Sequence, residues 1–276
     1  MQQTVITPDQ ERYFYDHEYR KFLSVPNDAL RIDRGVLEKN LSNPSHPFYE
    51  RSKLYRGAMR ALEFEPLKGR KILDYGCGPA DFGVWMATEG ADVTILDISP
   101  VAIQLGLKRA ESSGVRVRGV AANAVSLPMF SNGEFDTVFA CAALHHTLKY
   151  PGAVEELARV MKPNALLVLC ETWGANPLLG LARRFRATAA QEPKEQGEAI
   201  ILSPSELRLL YSHFDSIHPE FMNLFAMAKR YFRGAFGNCF VRSFVHLLEQ
   251  LDSDVLATFP AFRAWCGEVV ITARRR

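Results

Sequence analysis

Short apolar runs alternate with helix-like segments from about residue 70 to residue 170. Two of the intervening segments carry helix signals: Ser99–Ser112 opens on a capping serine and a proline, and Gly152–Met161 has one apolar face. This alternation predicts a doubly wound α/β fold built on a parallel sheet. The runs that we interpret as buried parallel strands are Lys71–Asp74, Asp92–Leu96, Arg116–Ala121, Phe135–Ala140 and Ala165–Cys170.

The composition narrows the class of protein. With 276 residues, 47% of them hydrophobic and 23% charged, the chain fits one large globular domain or a core with an appended lobe. A net charge of +2 argues against a broad nucleic-acid surface. The five cysteines include no C-x-x-C pair, so we expect no metal site and no disulfides, and reduced thiols fit the cytoplasm. The polar first residues lack a signal core, and no apolar run is long enough to span a bilayer.

A glycine loop follows the first predicted strand in ILDYGCGPADFG, residues 72–83. Such a loop lies at the carboxyl edge of the sheet, where open α/β sheets bind ligands. Gly76 and Gly78 fit the dinucleotide fingerprint G-x-G-x-x-G, but Asp81 occupies the third glycine position. Asp74 would repel a diphosphate and attract a cation. The loop therefore indicates a ligand with a cationic group and no diphosphate, a description that S-adenosylmethionine meets.

The ends of the next predicted strands supply further candidate contacts. Asp97 ends the second strand, where a carboxylate can accept hydrogen bonds from two ribose hydroxyls. This acid alone does not separate NAD from S-adenosylmethionine, because both ligands carry a ribose. Asn123 and Ala124 follow the third strand, where a side-chain amide and a backbone N–H can contact an adenine edge. The turn after the fourth strand, residues 140–146, should face the methionine part of the ligand and its methyl group.

Five segments in order resemble the motifs of class I S-adenosylmethionine-dependent methyltransferases: ILDYGCGPADFG, ILDIS, NAVSLP, FDTVFACAALHHT and RVMKPNALLVLCE, within residues 68–173. The resemblance implies a seven-stranded, mostly parallel sheet whose last strand is antiparallel, a role that EVVITA at residues 268–273 suits. One departure is Asn123, where many members carry aspartate. The absence of a D/N-P-P-Y/F tetrapeptide after the fourth strand argues against methylation of adenine or glutamine amino groups. The implied cofactor-binding residues are Asp74, Gly76, Cys77, Gly78, Asp97, Ile98, Asn123, Ala124, Ala140 and Cys141.

Outside the shared motifs we expect three regions. Residues 1–60 form a helical N-terminal cap, residues 61–175 form the S-adenosylmethionine-binding core, and residues 176–276 hold acceptor-binding insertions and the last two strands. The segment before the last strand is rich in Phe, Met and Leu and is interpreted as a helical insertion, which could be a lid over the pocket, ordinary core or a membrane-contacting face. Tyr19 and Arg56 are candidates to close over the cofactor.

The predicted activity is transfer of a methyl group from S-adenosylmethionine to an oxygen or carbon of a small to medium hydrophobic acceptor. His145 and His146 are candidate general bases, with no preference between them. No nucleic-acid partner and no metal are expected. The alternatives are a protein of the same fold with non-methylating chemistry, a non-catalytic regulatory protein, and a nicotinamide oxidoreductase, which Asp74 and Asp81 disfavour.

Overall fold

Seven strands form one sheet in this computed structural model, which describes residues 7–177, residue 180 and residues 201–276. In chain order they are β1 (Lys71–Tyr75), β2 (Asp92–Asp97), β3 (Arg118–Ala121), β4 (Phe135–Cys141), β5 (Met161–Thr172), β6 (Phe214–Met222) and β7 (Glu268–Arg275). Their spatial order is β3-β2-β1-β4-β5-β7-β6. The neighbours from β3 to β5 pair in parallel, and β7 pairs antiparallel with both β5 and β6. The predicted seven-stranded sheet and its antiparallel last strand are confirmed.

Helices cover both faces of the sheet. Four precede it: α1 (Pro8–Arg20), α2 (Asn27–Leu30), α3 (Arg34–Ser42) and α4 (Ser52–Leu62). The others with described bounds are α5 (Asp81–Thr88), α6 (Pro100–Ser112), α7 (Leu144–Thr147), α8 (Ala153–Val160), α9 (Pro204–Leu210) and α10 (Cys239–Thr258), and 3₁₀ helices occur at Tyr49–Arg51, Ala226–Phe232 and Pro260–Trp265. The insertion before the last strand is helical, as predicted. Among the residues described, no helix combines the length and the apolar character needed to cross a membrane.

Alternating side chains of the strands fill two separate cores. Ile72, on one face of β1, belongs to the cluster under α3, α4 and α5, whereas Leu73 belongs to the cluster under α8 and α9. Successive residues of a strand point to opposite faces, so a fully apolar strand builds both cores at once. This double burial explains why the predicted strands are continuous apolar runs. It also leaves the carboxyl ends of the strands as the place where polar side chains can meet a ligand.

Three predicted boundaries needed correction. The helix expected over Gly152–Met161 ends at Val160, and β5 begins at Met161 rather than at Ala165. Pro163 and Asn164 lie in β5 at a shift of register, where Phe135 pairs with Met161 and Thr137 with Leu166. A proline has no N–H to donate and Asn164 has a φ of 61°, so both suit an irregular stretch. The strand expected from Arg116 begins at Arg118, its first residue paired with β2.

Candidate functional site

A pocket of about 400 Å³ lies at the carboxyl ends of β1, β2, β4 and β5. β1 lies between β2 and β4, which connect to it in opposite directions along the sheet, so the pocket occupies the switch point where such sheets bind ligands. The N-terminal helices cover this edge. The structure brings together most of the residues predicted for the site: Asp74, Gly76, Cys77, Gly78, Asp97, Ile98, Asn123, Ala124, Cys141, His145 and His146 all line the pocket.

The glycine loop requires glycine for two reasons. Gly76 and Gly78 have φ values of 66° and 51°, in the left-handed region that other residues avoid. A Cβ on Gly76 would lie 2.3 Å from the Cβ of Ala143, and a Cβ on Gly78 would lie 3.0 Å from the Tyr19 hydroxyl. The loop backbone is therefore packed closely between the turn after β4 and helix α1. Its remaining side faces the pocket as bare backbone.

Asp97 fixes this loop to the neighbouring strand. One carboxylate oxygen accepts from the Gly78 N–H at 2.8 Å, and the other accepts from the Ser99 N–H at 2.9 Å. Burial raises the pKa of Asp97 to about 6, although both amides favour the charged form. Each carboxylate oxygen has a further lone pair that a ligand hydroxyl could use. Asp97 thus makes local backbone contacts and keeps acceptor capacity for the ribose hydroxyls that the sequence predicted as its partners.

Asp74 is buried beneath the loop. It is 2% exposed, and its Oδ2 has no hydrogen-bond partner in the described part of the chain. That oxygen faces α5, where a Cβ on Gly83 would lie 2.5 Å from it. Burial raises the pKa of Asp74 to about 8, and the charges of Asp97 and Asp81 add to the rise. The sequence predicted an anion, whereas a pKa of about 8 leaves this acid mostly protonated in the free protein near pH 7.

We expect the variant Asp74→Asn to be more stable than the wild type above neutral pH. Between the unfolded pKa of about 3.9 and the folded pKa of about 8, the folded protein holds a proton that the unfolded chain releases. Stability therefore falls as pH rises through this window, and asparagine removes the effect. In thermal melts of the ligand-free proteins, the melting temperature of the variant should rise relative to that of the wild type from pH 5 to pH 8.

The matched control for this prediction is Asp92→Asn, at an exposed acid that begins β2. Its melting temperature relative to the wild type should not change with pH. A constant difference between Asp74→Asn and the wild type across that range would show that Asp74 is already ionised in the free protein.

The two histidines differ in their environments. His145 donates from Nδ1 to Oε2 of Glu171 at 2.7 Å, and Glu171 also accepts from the Leu144 N–H at 3.2 Å. Nε2 of His145 has no hydrogen-bond partner among the described residues. In His146, Nδ1 lies 3.1 Å from Glu11 and Nε2 lies 3.3 Å from the Tyr15 hydroxyl, so both nitrogens are engaged. Burial lowers the pKa of His146. The structure thus distinguishes the two, with His145 held by a buried acid and its other nitrogen available.

The other residues singled out from the sequence differ in how they lie relative to the pocket. Ala140 is buried in β4 and is not among the lining residues, in contrast to the prediction for it. Asn123 lines the pocket, but its side-chain oxygen accepts from the Val125 N–H at 3.1 Å, which leaves the amide group for a ligand. Arg56 bonds to Glu38 and Ser42 at 2.8 and 2.9 Å and does not line the pocket, whereas Tyr19 does.

Helix α1 supplies contacts that the sequence did not reveal. Glu11 and Tyr15 line the pocket together with Tyr19, and the rings of the two tyrosines stack with their centroids 5.8 Å apart. Asp16 accepts from the Ser99 hydroxyl at 2.5 Å, at the first turn of α6. Lys149 donates to Glu11 at 3.1 Å. No residue of α1 is fully buried, and these polar contacts act together with the packing of Tyr15 and Tyr19 at the pocket.

Phe48, Arg51 and Tyr55 were also not predicted as site residues. They line the pocket. Phe48 and Arg51 precede α4 and Tyr55 lies in it, and the rings of Phe48 and Tyr55 pack near Phe82. The first seventy residues are rich in aromatics, which is the sequence signal that could have pointed to Phe48 and Tyr55. No comparable signal marks Arg51.

The helical insertion lies away from the pocket. Among the described residues it contributes none of the lining residues, and Tyr231 and Phe240 are 78% and 81% exposed. Residues 178–200 other than Gly180, a part of the predicted acceptor-binding region, lie outside the described residues. The three-region division therefore stays a prediction.

Comparisons with known proteins agree with this geometry. The family described as a methyltransferase domain matches residues 72–164. Demethylmenaquinone methyltransferase of Clavibacter sepedonicus is 33% identical over 119 residues, which cover 43% of this chain and 47% of the relative. Ubiquinone biosynthesis O-methyltransferase of Paracidovorax citrulli is 29% identical over 182 residues, which cover 61% of this chain and 71% of the relative. The chain spans about half the length of the first demethylmenaquinone methyltransferases that it matches.

Solved structures share the fold. Haemonchus contortus phosphoethanolamine N-methyltransferase 2, in complex with S-adenosyl-L-methionine, superposes with a TM-score of 0.53 at 16% identity, over 80% of this chain and 52% of that chain. The cyclase SpnF superposes with a TM-score of 0.50 at 20% identity, over 79% of each chain. At such identities the likeness concerns architecture alone.

Proposed function

We propose that this chain, which carries a class I methyltransferase domain at residues 72–164, transfers a methyl group from S-adenosylmethionine to a small-molecule acceptor. The observation that carries the proposal is the arrangement at one sheet edge of a glycine loop, two buried acids and an acid-held histidine. Their convergence on a pocket supports a chemical role.

The residues present fit S-adenosylmethionine. Asp74 lines the pocket with a carboxyl group that can ionise beside a cationic ammonium or sulfonium. Asp97 keeps lone pairs for ribose hydroxyls, and Asn123 with Ala124 would contact the adenine. The bound group would supply an activated methyl on a positively charged sulfur. The chain itself then binds, orients and excludes water, and orientation alone can supply about 7–11 kcal/mol in well-aligned cases.

The pocket also favours an acceptor with an apolar body. Phe48, Tyr55, Phe82 and Phe139 line it, with centroid distances of 5.2–5.4 Å from Phe48 to Tyr55, from Tyr55 to Phe82 and from Phe82 to Phe139. Aromatic walls suit flat, small to medium hydrophobic molecules. The relatives named above are methyltransferases of menaquinone and ubiquinone biosynthesis, which supports a ring-bearing acceptor methylated on oxygen or carbon.

His145 is our candidate for the general base. The Glu171 carboxylate only accepts hydrogen bonds, so it holds the proton of His145 on Nδ1 and leaves Nε2 as a lone pair at the pocket. A phenolic or enolic acceptor must lose a proton as it is methylated. Nε2 would take that proton, and the buried Glu171 would stabilise the imidazolium that forms. His146 is less suited, because Tyr15 and Glu11 engage both of its nitrogens.

The test of the proposed activity uses the purified chain with S-adenosylmethionine and a panel of phenols and hydroquinones. We expect S-adenosylhomocysteine to form together with an acceptor product that has gained one methyl group, both followed by mass spectrometry. Calorimetry should show binding of S-adenosylhomocysteine and none of NAD. Binding without turnover on any acceptor would favour non-methylating chemistry, and binding of NAD in its place would overturn the proposal.

We expect Glu171→Gln to lower kcat by about 100-fold, within the range of general base catalysis. Glutamine can present an N–H to Nδ1, which selects the wrong tautomer, and it cannot stabilise an imidazolium. The KM for S-adenosylmethionine and the dissociation constant of S-adenosylhomocysteine should stay near the wild-type values. A structural role of Glu171 would change affinity and kcat together.

The matched control is Glu155→Gln, because exposed Glu155 also pairs with a histidine, His213, at 3.6 Å outside the pocket. This variant should keep the wild-type kcat. A loss of the same size in both variants would remove the assignment of His145 as base.

A further inference from the structure

Arg51 brings a guanidinium to one end of the pocket. Its Nη2 donates to the Thr172 hydroxyl at 3.2 Å, and the guanidinium lies 5.6 Å from the centre of the Tyr55 ring. Nε is 3.4 Å from Oε1 of Glu268, yet neither atom forms a hydrogen bond within the described chain, although both are buried. Arginine has five N–H groups in a rigid fork. Thr172 uses only a part of this donor capacity.

Glu268 cannot fully neutralise Arg51. It is completely buried and also accepts from Lys229 at 3.1 Å, and Lys229 is itself buried. Arg230 lies 3.8 Å from the same carboxylate and donates to Thr172 at 3.3 Å. Burial opposes the charge of Glu268, but the three cations hold its pKa at about 2. One carboxylate thus lies among three cations, Arg51, Lys229 and Arg230, and of these only Arg51 lines the pocket.

The position of Arg51 separates it from the predicted cofactor contacts. Thr172 ends β5, which is two strands from β1 along the sheet order, a distance of about 10 Å at ordinary strand spacing. The glycine loop, Asp74 and Asp97 belong to β1 and β2. The guanidinium therefore lies at the β5 end of the pocket, away from the glycine loop, Asp74 and Asp97.

We propose that Arg51 binds an anionic group of the acceptor, so that the acceptor is a ring-bearing carboxylate rather than a neutral hydrocarbon-like molecule. This inference rests on the proposed function and names the substrate class of the same site. The aromatic residues would hold the ring, and the guanidinium fork would hold the carboxylate by charge-assisted hydrogen bonds. The same chemistry could instead bind the carboxylate of the methionine part of the cofactor, and the experiment separates these two sources.

The experiment is a calorimetric titration in two stages. S-adenosylhomocysteine is titrated first, and the saturated protein is then titrated with benzoate and with uncharged benzamide. We expect the wild type to bind benzoate at least about tenfold more tightly than benzamide, as a charged hydrogen-bonded contact permits. Arg51→Gln should bind the two compounds equally and keep its affinity for S-adenosylhomocysteine. Arg51→Lys, which keeps the charge but not the fork, should show a reduced preference.

The outcomes are distinguishable. Arg56→Gln is the control, since Arg56 pairs with Glu38 outside the pocket. This variant should bind both probes as the wild type does. Equal binding of the two probes by the wild type would overturn the inference. A loss of S-adenosylhomocysteine affinity in both Arg51 variants would also overturn it, because that result would assign Arg51 to the cofactor carboxylate. Failure of the wild type to bind S-adenosylhomocysteine would instead overturn the proposed function. Melting curves confirm that each variant is folded before it is titrated.

Discussion

Replacing Gly76 by alanine is expected to lower the affinity for S-adenosylhomocysteine by at least about 100-fold, which corresponds to roughly 2.7 kcal/mol. The new Cβ would lie 2.3 Å from the Cβ of Ala143, a backbone-anchored atom that cannot rotate away. Gly76 also has a φ of 66°, which costs an alanine about 1 kcal/mol or more. The loop must shift to relieve the clash. That shift displaces the backbone facing the pocket and the contact between Gly78 and Asp97.

The control for this experiment is Gly114→Ala. Gly114 follows α6 with a φ of 72°, and a Cβ there would meet no atom within 4 Å. It therefore carries the same conformational penalty without the clash and lies far from the site. We expect about 1 kcal/mol of destabilisation and unchanged binding. Wild-type affinity in Gly76→Ala would show that the loop does not hold the ligand.

Glu268→Gln is expected to give the largest loss of stability, about 3–5 kcal/mol, as is usual when one partner of a buried ionic network is removed. Glu268 is completely buried among Arg51, Lys229 and Arg230. Without the carboxylate, buried cations lose the charge that compensates their desolvation. For a chain of this size we expect the melting temperature to fall by roughly 10 °C.

The pH dependence of stability tests the same group. The pKa of Glu268 is lowered to about 2 from an ordinary value of 4.5, so its contribution is complete above about pH 4.5 and is lost as pH falls towards 2. The melting temperatures of variant and wild type should converge over that range. Glu220→Gln is the control, because its ion pair with Arg60 is exposed and should contribute less than about 1 kcal/mol. Equal losses in the two variants would contradict a special role for Glu268.

Much of the fold follows from local patterns in the sequence. The central strands could be predicted because burial on both faces requires apolar residues at every position, as Ile72 and Leu73 illustrate. The start of β5 could not, because Met161 joins the sheet through its pairing with Phe135, a partner 26 residues earlier. The number of strands and the antiparallel direction of the last strand came from the resemblance to a known family, since the apolar runs alone do not encode them.

The site was predictable where its residues share one short motif. Gly76 and Gly78 directly follow β1, and Asp97 is the last residue of β2. Their positions in the sequence therefore fix their location at the sheet edge. The ionisation of Asp74 could not be predicted, because it depends on burial beneath α5. The choice between His145 and His146 depends on their contacts with Glu171 and Glu11. The position of Arg51 at the pocket depends on its contact with Thr172. These partners are brought together only by tertiary packing.

Helix α1 has a consequence for how molecules reach the pocket. It covers the site with Glu11, Tyr15 and Tyr19, yet it buries none of its own residues completely and is held by polar contacts such as that of Asp16 with Ser99. A helix without fully buried residues needs less free energy to detach than a helix whose side chains form part of the core. The rates at which small molecules enter and leave the pocket are therefore expected to follow the detachment of α1, and to rise with ionic strength.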